Sequence, residues 1–187
     1  MGKVIRFFNY EAALDHYEQV MERMRQCSTR GHDGVRIIAK PILILSVIKG
    51  MRDGVFTSNR FDFDQLNEIY EDLFRHYFVQ GRQTHLTPLQ YPFYYLQTDG
   101  FWHLSWKGHG SLTTASPTRL WMERNVDHAY LDEELWILLS NDAFASRLSR
   151  YVVENKIKQQ LDDAGLAAEP SWREQFKTFV AALLMAI

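Results

Sequence analysis

The chain has 187 residues, 46% hydrophobic, 24% charged and 14% aromatic, with a formal net charge of −2. That is enough apolar material for the core of one domain and shows none of the bias of a disordered or fibrous chain. The longest apolar stretches, 41–45 and 179–187, fall well short of the roughly 20 residues a membrane span needs, Asn9, Glu11 and Asp15 interrupt any secretory h-region, and the lone Cys27 excludes an internal disulfide. The expectation is a cytoplasmic protein with no membrane partner.

In chain order, Asn9 is a good N-cap for a helix to about Gln26, with Leu14, Tyr17, Val20, Met21 and Met24 at helical spacing. Residues 28–34 form a polar break. Pro41 stands where a first helical turn tolerates it, and Ile42, Leu43, Leu45, Val47, Ile48 and Met51 are apolar nearly all round, so 40–51 reads as a central buried helix. Asp62 or Asp64 caps a third helix striped by Leu66, Ile69, Tyr70, Leu73, Phe74, Tyr77 and Phe78 and ended by Gly81. The aromatics and proline of 91–96 suggest an extended segment, and Thr98, Asp99 and Gly100 suggest a hairpin turn into a strand at 101–106.

Ser116 and Pro117 predict the cap and first position of a short helix through Met122. Two further helices are expected at 132–139 and 142–157. After a break at 165–170, Ser171 caps a last one, whose Trp172, Phe176, Phe179, Val180, Leu183, Leu184 and Ile187 need cover from the N-terminal helix or from a twin subunit. The fold class is mainly α with a small β-hairpin, organised as an N-terminal helix and loop at 1–34, a module at 35–157 and a C-terminal helical extension at 158–187.

Charge is unevenly spread. Residues 73–122 hold one acid, Asp99, where a proportional share would be about six, together with Arg75, Arg82, Lys107, Arg119, four histidines and 11 of the 26 aromatics. Basic groups and aromatics without acids suit a surface that faces phosphates and bases, since an acid there repels the backbone. On this reading Arg75, Arg82, Lys107 and Arg119 share a face with Tyr91 and Pro92.

Catalytic patterns find little support. His103 and His109 are followed by no metal-binding constellation. Glu154, Asn155 and Lys156 have the ending of many nuclease sites, but no aspartate on a paired strand precedes them. Cys27 lacks the flanks of an activated thiolate, and Gly31 to Gly34 lacks the features of a phosphate loop. No enzyme activity, metal or cofactor is expected.

The run from Ala39 through Lys40, Pro41 and the aliphatics to Gly50, the helix at 63–78, and Tyr91, Pro92 and Phe93 followed by Asp99, Gly100 and Trp102 together resemble the sulfur-binding domains of modification-dependent restriction endonucleases. Such domains usually lie N-terminal to an HNH nuclease and recognise phosphorothioate DNA; the similarity runs from about Arg36 to Tyr151. The resemblance implies a helical DNA-binding module in which Tyr91 and Pro92 line a shallow pocket for sulfur and the stem of Lys40 borders it. Arg82, Lys107 and Arg119 then hold phosphates. Ala39 stands where the family often has histidine, and Tyr95 stands where it has a small pocket residue, so that a ring fills the pocket, stacks, or offers its hydroxyl to a phosphate.

The expected function is a non-catalytic, double-stranded-DNA-binding recognition module of a restriction or phage-defence system. It works with a separate nuclease or effector subunit, as a monomer or a homodimer. The alternative is a protein-interaction or regulatory subunit that keeps the fold without touching DNA.

Overall fold

A computed structural model describes residues 9–28, 35–108 and 112–158. The expected helix at 172–187 and its dimer contact lie outside the described residues.

Helix α1 (Tyr10–Arg23) starts at Asn9, whose Oδ1 accepts the Ala12 N–H at 2.8 Å, and it buries Ala13, Leu14, Tyr17 and Met21. Helix α2 (Ala39–Arg52) is the centre: Pro41, Ile42, Leu43, Ile44, Leu45, Val47 and Ile48 are buried on every side, and the buried Ser46 returns its hydroxyl to the Ile42 carbonyl at 2.7 Å. Pro41 is the third helical residue, where no intrahelical partner for an N–H exists, so its missing donor costs nothing. A side chain at Gly50 would collide with the Phe56 ring, which fixes glycine where the following loop folds back on α2. Helix α3 (Phe63–Tyr77), capped by Asp62, lays Leu66, Tyr70 and Phe74 against α2.

The segment at 91–96 is helical rather than extended. Helix α4 (Gln90–Tyr95) runs into a 3-10 turn (Leu96–Asp99), and Pro92, like Pro41, is its third residue. Burial decided against the strand propensity of its aromatics: Pro92, Phe93 and Tyr94 turn inward as a helical face, packing α4 on α2. Asp99 and Gly100 do not make a hairpin turn. Gly100, at φ 87°, ends the 3-10 turn.

Strand β1 (Trp102–Trp106) instead pairs with β2 (Val126–Leu131), antiparallel in the register Trp102 to Leu131 and Leu104 to Ala129, with an irregularity at Ser105/Trp106. The hairpin is present, but its second strand comes twenty residues later. Phe61 exchanges both backbone hydrogen bonds with Ala129, and the Asn59 amide pairs in both directions with the Leu131 backbone, extending the sheet from loop residues.

Helix α5 (Arg119–Asn125) starts at Thr118, whose hydroxyl accepts the Trp121 N–H, two residues beyond the Ser116–Pro117 signal. Helix α6 (Glu133–Leu139) follows β2. Helix α7 (Asp142–Val152), capped by Asn141, widens into a π-helical stretch (Val153–Lys158) instead of staying regular to its end. Helix α7 packs on α1 and α2, so α1 shares one core with the elements of 35–157.

Trp102 ties this core to α4. It is 1% exposed, stacks on Phe61 at 5.5 Å, meets Phe93 edge-on at 5.4 Å, and donates its indole N–H to the Phe93 carbonyl at 2.8 Å. The buried donor is thereby satisfied, and α4 is seated on the hairpin.

Candidate nucleic-acid interface

Four of the seven residues singled out from the sequence meet in one place. Lys40, at the start of α2, and Tyr91, Pro92 and Tyr95, on one side of α4, line an open concavity of about 360 Å³ together with Arg25, Gln26, Cys27, Ile37, Ala39, Thr87 and Thr98. The lining is chiefly apolar. Its first wall is the segment after α1, its second the approach to α2, and its third α4.

Each wall is tied down from behind. The Tyr70 hydroxyl donates to the Thr87 carbonyl at 2.8 Å, and burial pushes that phenol well above the usual tyrosine range. The Tyr95 hydroxyl donates to the Ala115 carbonyl at 2.8 Å, so this tyrosine gives the pocket its ring while its polar tip is engaged elsewhere. Tyr91, 39% exposed, stands at the rim. Gln26 donates to the carbonyls of Ile37 and Lys156.

Asp99, the lone acid of 73–122, lies behind this pocket. Its Oδ2 accepts from Lys40 Nζ at 2.5 Å and its Oδ1 from the Arg25 backbone N–H at 3.2 Å; the two side chains of the ion pair are 13% and 6% exposed. Removing one partner of so buried a pair strands the other charge, a loss of about 3–5 kcal/mol. The Lys40 ammonium is therefore held, and its aliphatic stem is what borders the pocket.

The remaining basic residues divide. Arg82, in the loop after α3 at φ 49°, is exposed, and Arg25 is exposed at the pocket; neither is ion-paired among the described residues. Lys107 and Arg119 line or flank a different cleft, about 100 Å³, with Asp62, Phe63, Asp64, Phe93, Met122, Glu123 and Asp127 around it. The Arg119 guanidinium bonds Asp64 at 2.7 Å and Glu123 at 2.8 Å and lies 5.9 Å from the Phe63 ring centre; Glu123 and then Asp64 push its pKa up further. Lys107 Nζ donates to the Glu123 carbonyl at 2.7 Å. Arg75 pairs with Glu71 and Asp72. With Asp99 as its one acid in sequence, the window 73–122 receives further acids in space from Asp64, Glu71, Asp72 and Glu123: Arg75 and Arg119 are ion-paired, and Lys107 lines a cleft other than the one lined by Tyr91 and Pro92.

Arg25, Cys27 and Thr98 were not among the residues the sequence pointed to. Arg25 reaches the pocket through a contact to Asp99, 74 positions away, and nothing in its own neighbourhood signals that. The Glu154 and Lys156 pair separates: Glu154 binds Lys158, whereas Lys156, 2% exposed, donates to the Glu22 carbonyl at 2.5 Å and lies 3.3 Å from its carboxylate. The Tyr151 hydroxyl donates to the same carboxylate at 2.9 Å; that bond and Lys156 hold Glu22 low, while burial and Glu22 push Tyr151 up to about 12. His103 bonds Asp132 at 2.8 Å, and His109 lies outside the described residues. No helix among the described residues is long and apolar enough to cross a membrane.

A family model described as ScoMcrA-like, DNA sulfur-binding domain matches residues 17–169, most of the chain and the whole of the pocket. The search of curated proteins finds no match. The chain belongs to the ScoMcrA-like DNA sulfur-binding domain family.

Proposed function

We propose that this member of the sulfur-binding domain family is a recognition module without catalysis of its own, serving a restriction or phage-defence system in the cytoplasm by binding duplex DNA with the pocket beside α4. The observation that carries the reading is the convergence of Lys40, Tyr91, Pro92 and Tyr95 on one apolar concavity, in a chain of this family. Sulfur in a phosphorothioate accepts hydrogen bonds poorly, so an apolar wall takes it at less desolvation cost than it takes a phosphate oxygen. Arg25 at the pocket and Arg82 on the neighbouring loop, neither ion-paired among the described residues, meet the flanking phosphates; Arg119 is held by its own acids and Lys107 by the Glu123 carbonyl. The recognition unit, 35–157 by sequence, draws one wall from residues 25–27 as well. Cleavage falls to a separate nuclease or effector subunit.

The test is a binding titration of the full chain against one duplex, plain and with a single phosphorothioate, over a series of salt concentrations. The expected result is tighter binding of the modified duplex and a log–log salt slope of about −0.9 for each phosphate neutralised, with both duplexes left uncut in Mg²⁺. Absence of binding to either duplex at low salt by folded protein refutes the reading. The second reading, an interaction or regulatory subunit, draws on the acid pairing of Arg75 and Arg119, and that same absence is what it expects.

A further inference from the structure

We infer that Asp99 is a specificity-determining residue of the pocket, acting by positioning: it withholds the charge of Lys40 from DNA so that the pocket discriminates by its apolar lining. The inference rests on the reading that this pocket faces DNA. Its basis is a conflict visible in the structure. A carboxylate beside a DNA-facing pocket is electrostatically unfavourable, and 73–122 is otherwise free of acids, yet its one acid lies within hydrogen-bond distance of the cation that borders the pocket.

Geometry excludes a simple surface pair. Asp99 is the last residue of the 3-10 turn that continues α4, its side chain is 6% exposed, and each carboxylate oxygen has a partner from a different wall: the Arg25 N–H from the segment after α1, and the Lys40 ammonium from α2. One side chain thus sets the spacing of all three walls. A free lysine there would attract any duplex, modified or not, because a phosphate contact carries no information about what else the DNA bears. Paired with Asp99, Lys40 is left to offer its methylenes beside Ile37, Ala39 and Pro92. Beyond a few ångströms the two charges cancel, and salt removes the residual field within about 8–10 Å.

Asp99→Asn keeps an acceptor for the Arg25 N–H, takes the carboxylate from Lys40, and so lowers the melting temperature while leaving the lysine charge uncompensated. Expected are a salt slope on plain duplex steeper by about 0.9, plain-duplex binding tighter by on the order of eightfold at 0.1 M salt, and a fall in the ratio of modified to plain affinity. Lys40→Met retains an aliphatic stem and is expected to leave the wild-type slope unchanged, as is the double variant Lys40→Met with Asp99→Asn, which restores the ratio. A Lys40→Met slope flatter by about one shows that Lys40 meets a phosphate and overturns the inference. So does an Asp99→Asn protein that is folded at the assay temperature, whatever its melting point, with slope and ratio unmoved, or one that loses both duplexes in proportion. If Asp99→Asn does not fold, the slopes of Lys40→Met and of the double variant decide alone. Wild-type protein that binds neither duplex refutes the functional reading itself, a result read without any variant.

Discussion

The pocket beside α4 and the cleft around Lys107 and Arg119 lie on either side of the same short helix, and both combine basic side chains with aromatic rings. They handle charge in opposite ways. In the cleft, Arg119 is 56% exposed and satisfied twice over, by Asp64 and Glu123, with Asp62 and Asp127 close by. In the pocket a single buried carboxylate cancels a single lysine, and Arg25 is in no ion pair among the described residues. Cations are therefore no guide to where an anionic polymer docks until their partners are known. A surface arginine bound to two carboxylates must surrender them before it can serve a phosphate.

The comparison breaks completely if the helix between the two regions comes loose. Trp102→Ala removes the ring that holds Phe93, and with it both the Pro92 side and the Phe93 side of α4; a loss of about 3–5 kcal/mol in stability is expected in urea denaturation. Tyr91→Ala separates the regions instead. A tyrosine at the rim of a binding interface costs on the order of 1–2 kcal/mol when truncated, so duplex affinity is expected to fall by about fivefold to thirtyfold in a fluorescence anisotropy titration, with a smaller loss of stability than Trp102→Ala because the side chain is 39% exposed.

A smaller effect belongs to neither region and serves as a control. Tyr151 has its pKa raised to about 12 in the folded chain, so the stability its neutral hydroxyl contributes is complete below pH 10 and is lost as pH rises from about 10 through 12. Tyr151→Phe flattens that alkaline limb in denaturation curves and leaves DNA binding at neutral pH unchanged. The smallest effect is expected from Arg119→Ala combined with Lys107→Ala: affinity within about twofold of wild type and a salt slope changed by well under the 0.9 that one phosphate contact contributes.

What the sequence made legible follows the range of the interactions involved. The starts of α1, α2 and α3 came through because they are local: Asn9 and Asp62 cap within three residues, and Pro41 stands in a first turn. The mainly helical class and the presence of a hairpin were readable from periodicity. Where local signals competed with burial, burial won. The aromatics of α4 have strand propensity, but three adjoining residues facing inward suit a helix packed on α2, and the Asp99–Gly100 pair closes a 3-10 turn. The hairpin's true second strand, 126–131, could not be paired from spacing alone, because Phe61 and Asn59 complete its edge from far away in sequence. Lys40, Tyr91, Pro92 and Tyr95, singled out through family resemblance, line one concavity, whereas Arg25 joins it beside a backbone contact to a carboxylate 74 residues distant. The charge count of 73–122 is correct but incomplete, because a linear window does not record the carboxylates that other elements bring to its arginines.

The most direct measurement is ¹H–¹⁵N chemical-shift mapping of the full chain titrated with a short duplex carrying one phosphorothioate. The largest shifts are expected on Arg25, Cys27, Ala39, Lys40, Tyr91 and Tyr95, with little change at Asp64, Arg119 and Glu123. Large shifts at Asp64, Arg119 and Glu123 together with unmoved signals around the pocket would contradict this expectation, by placing DNA on the opposite side of α4.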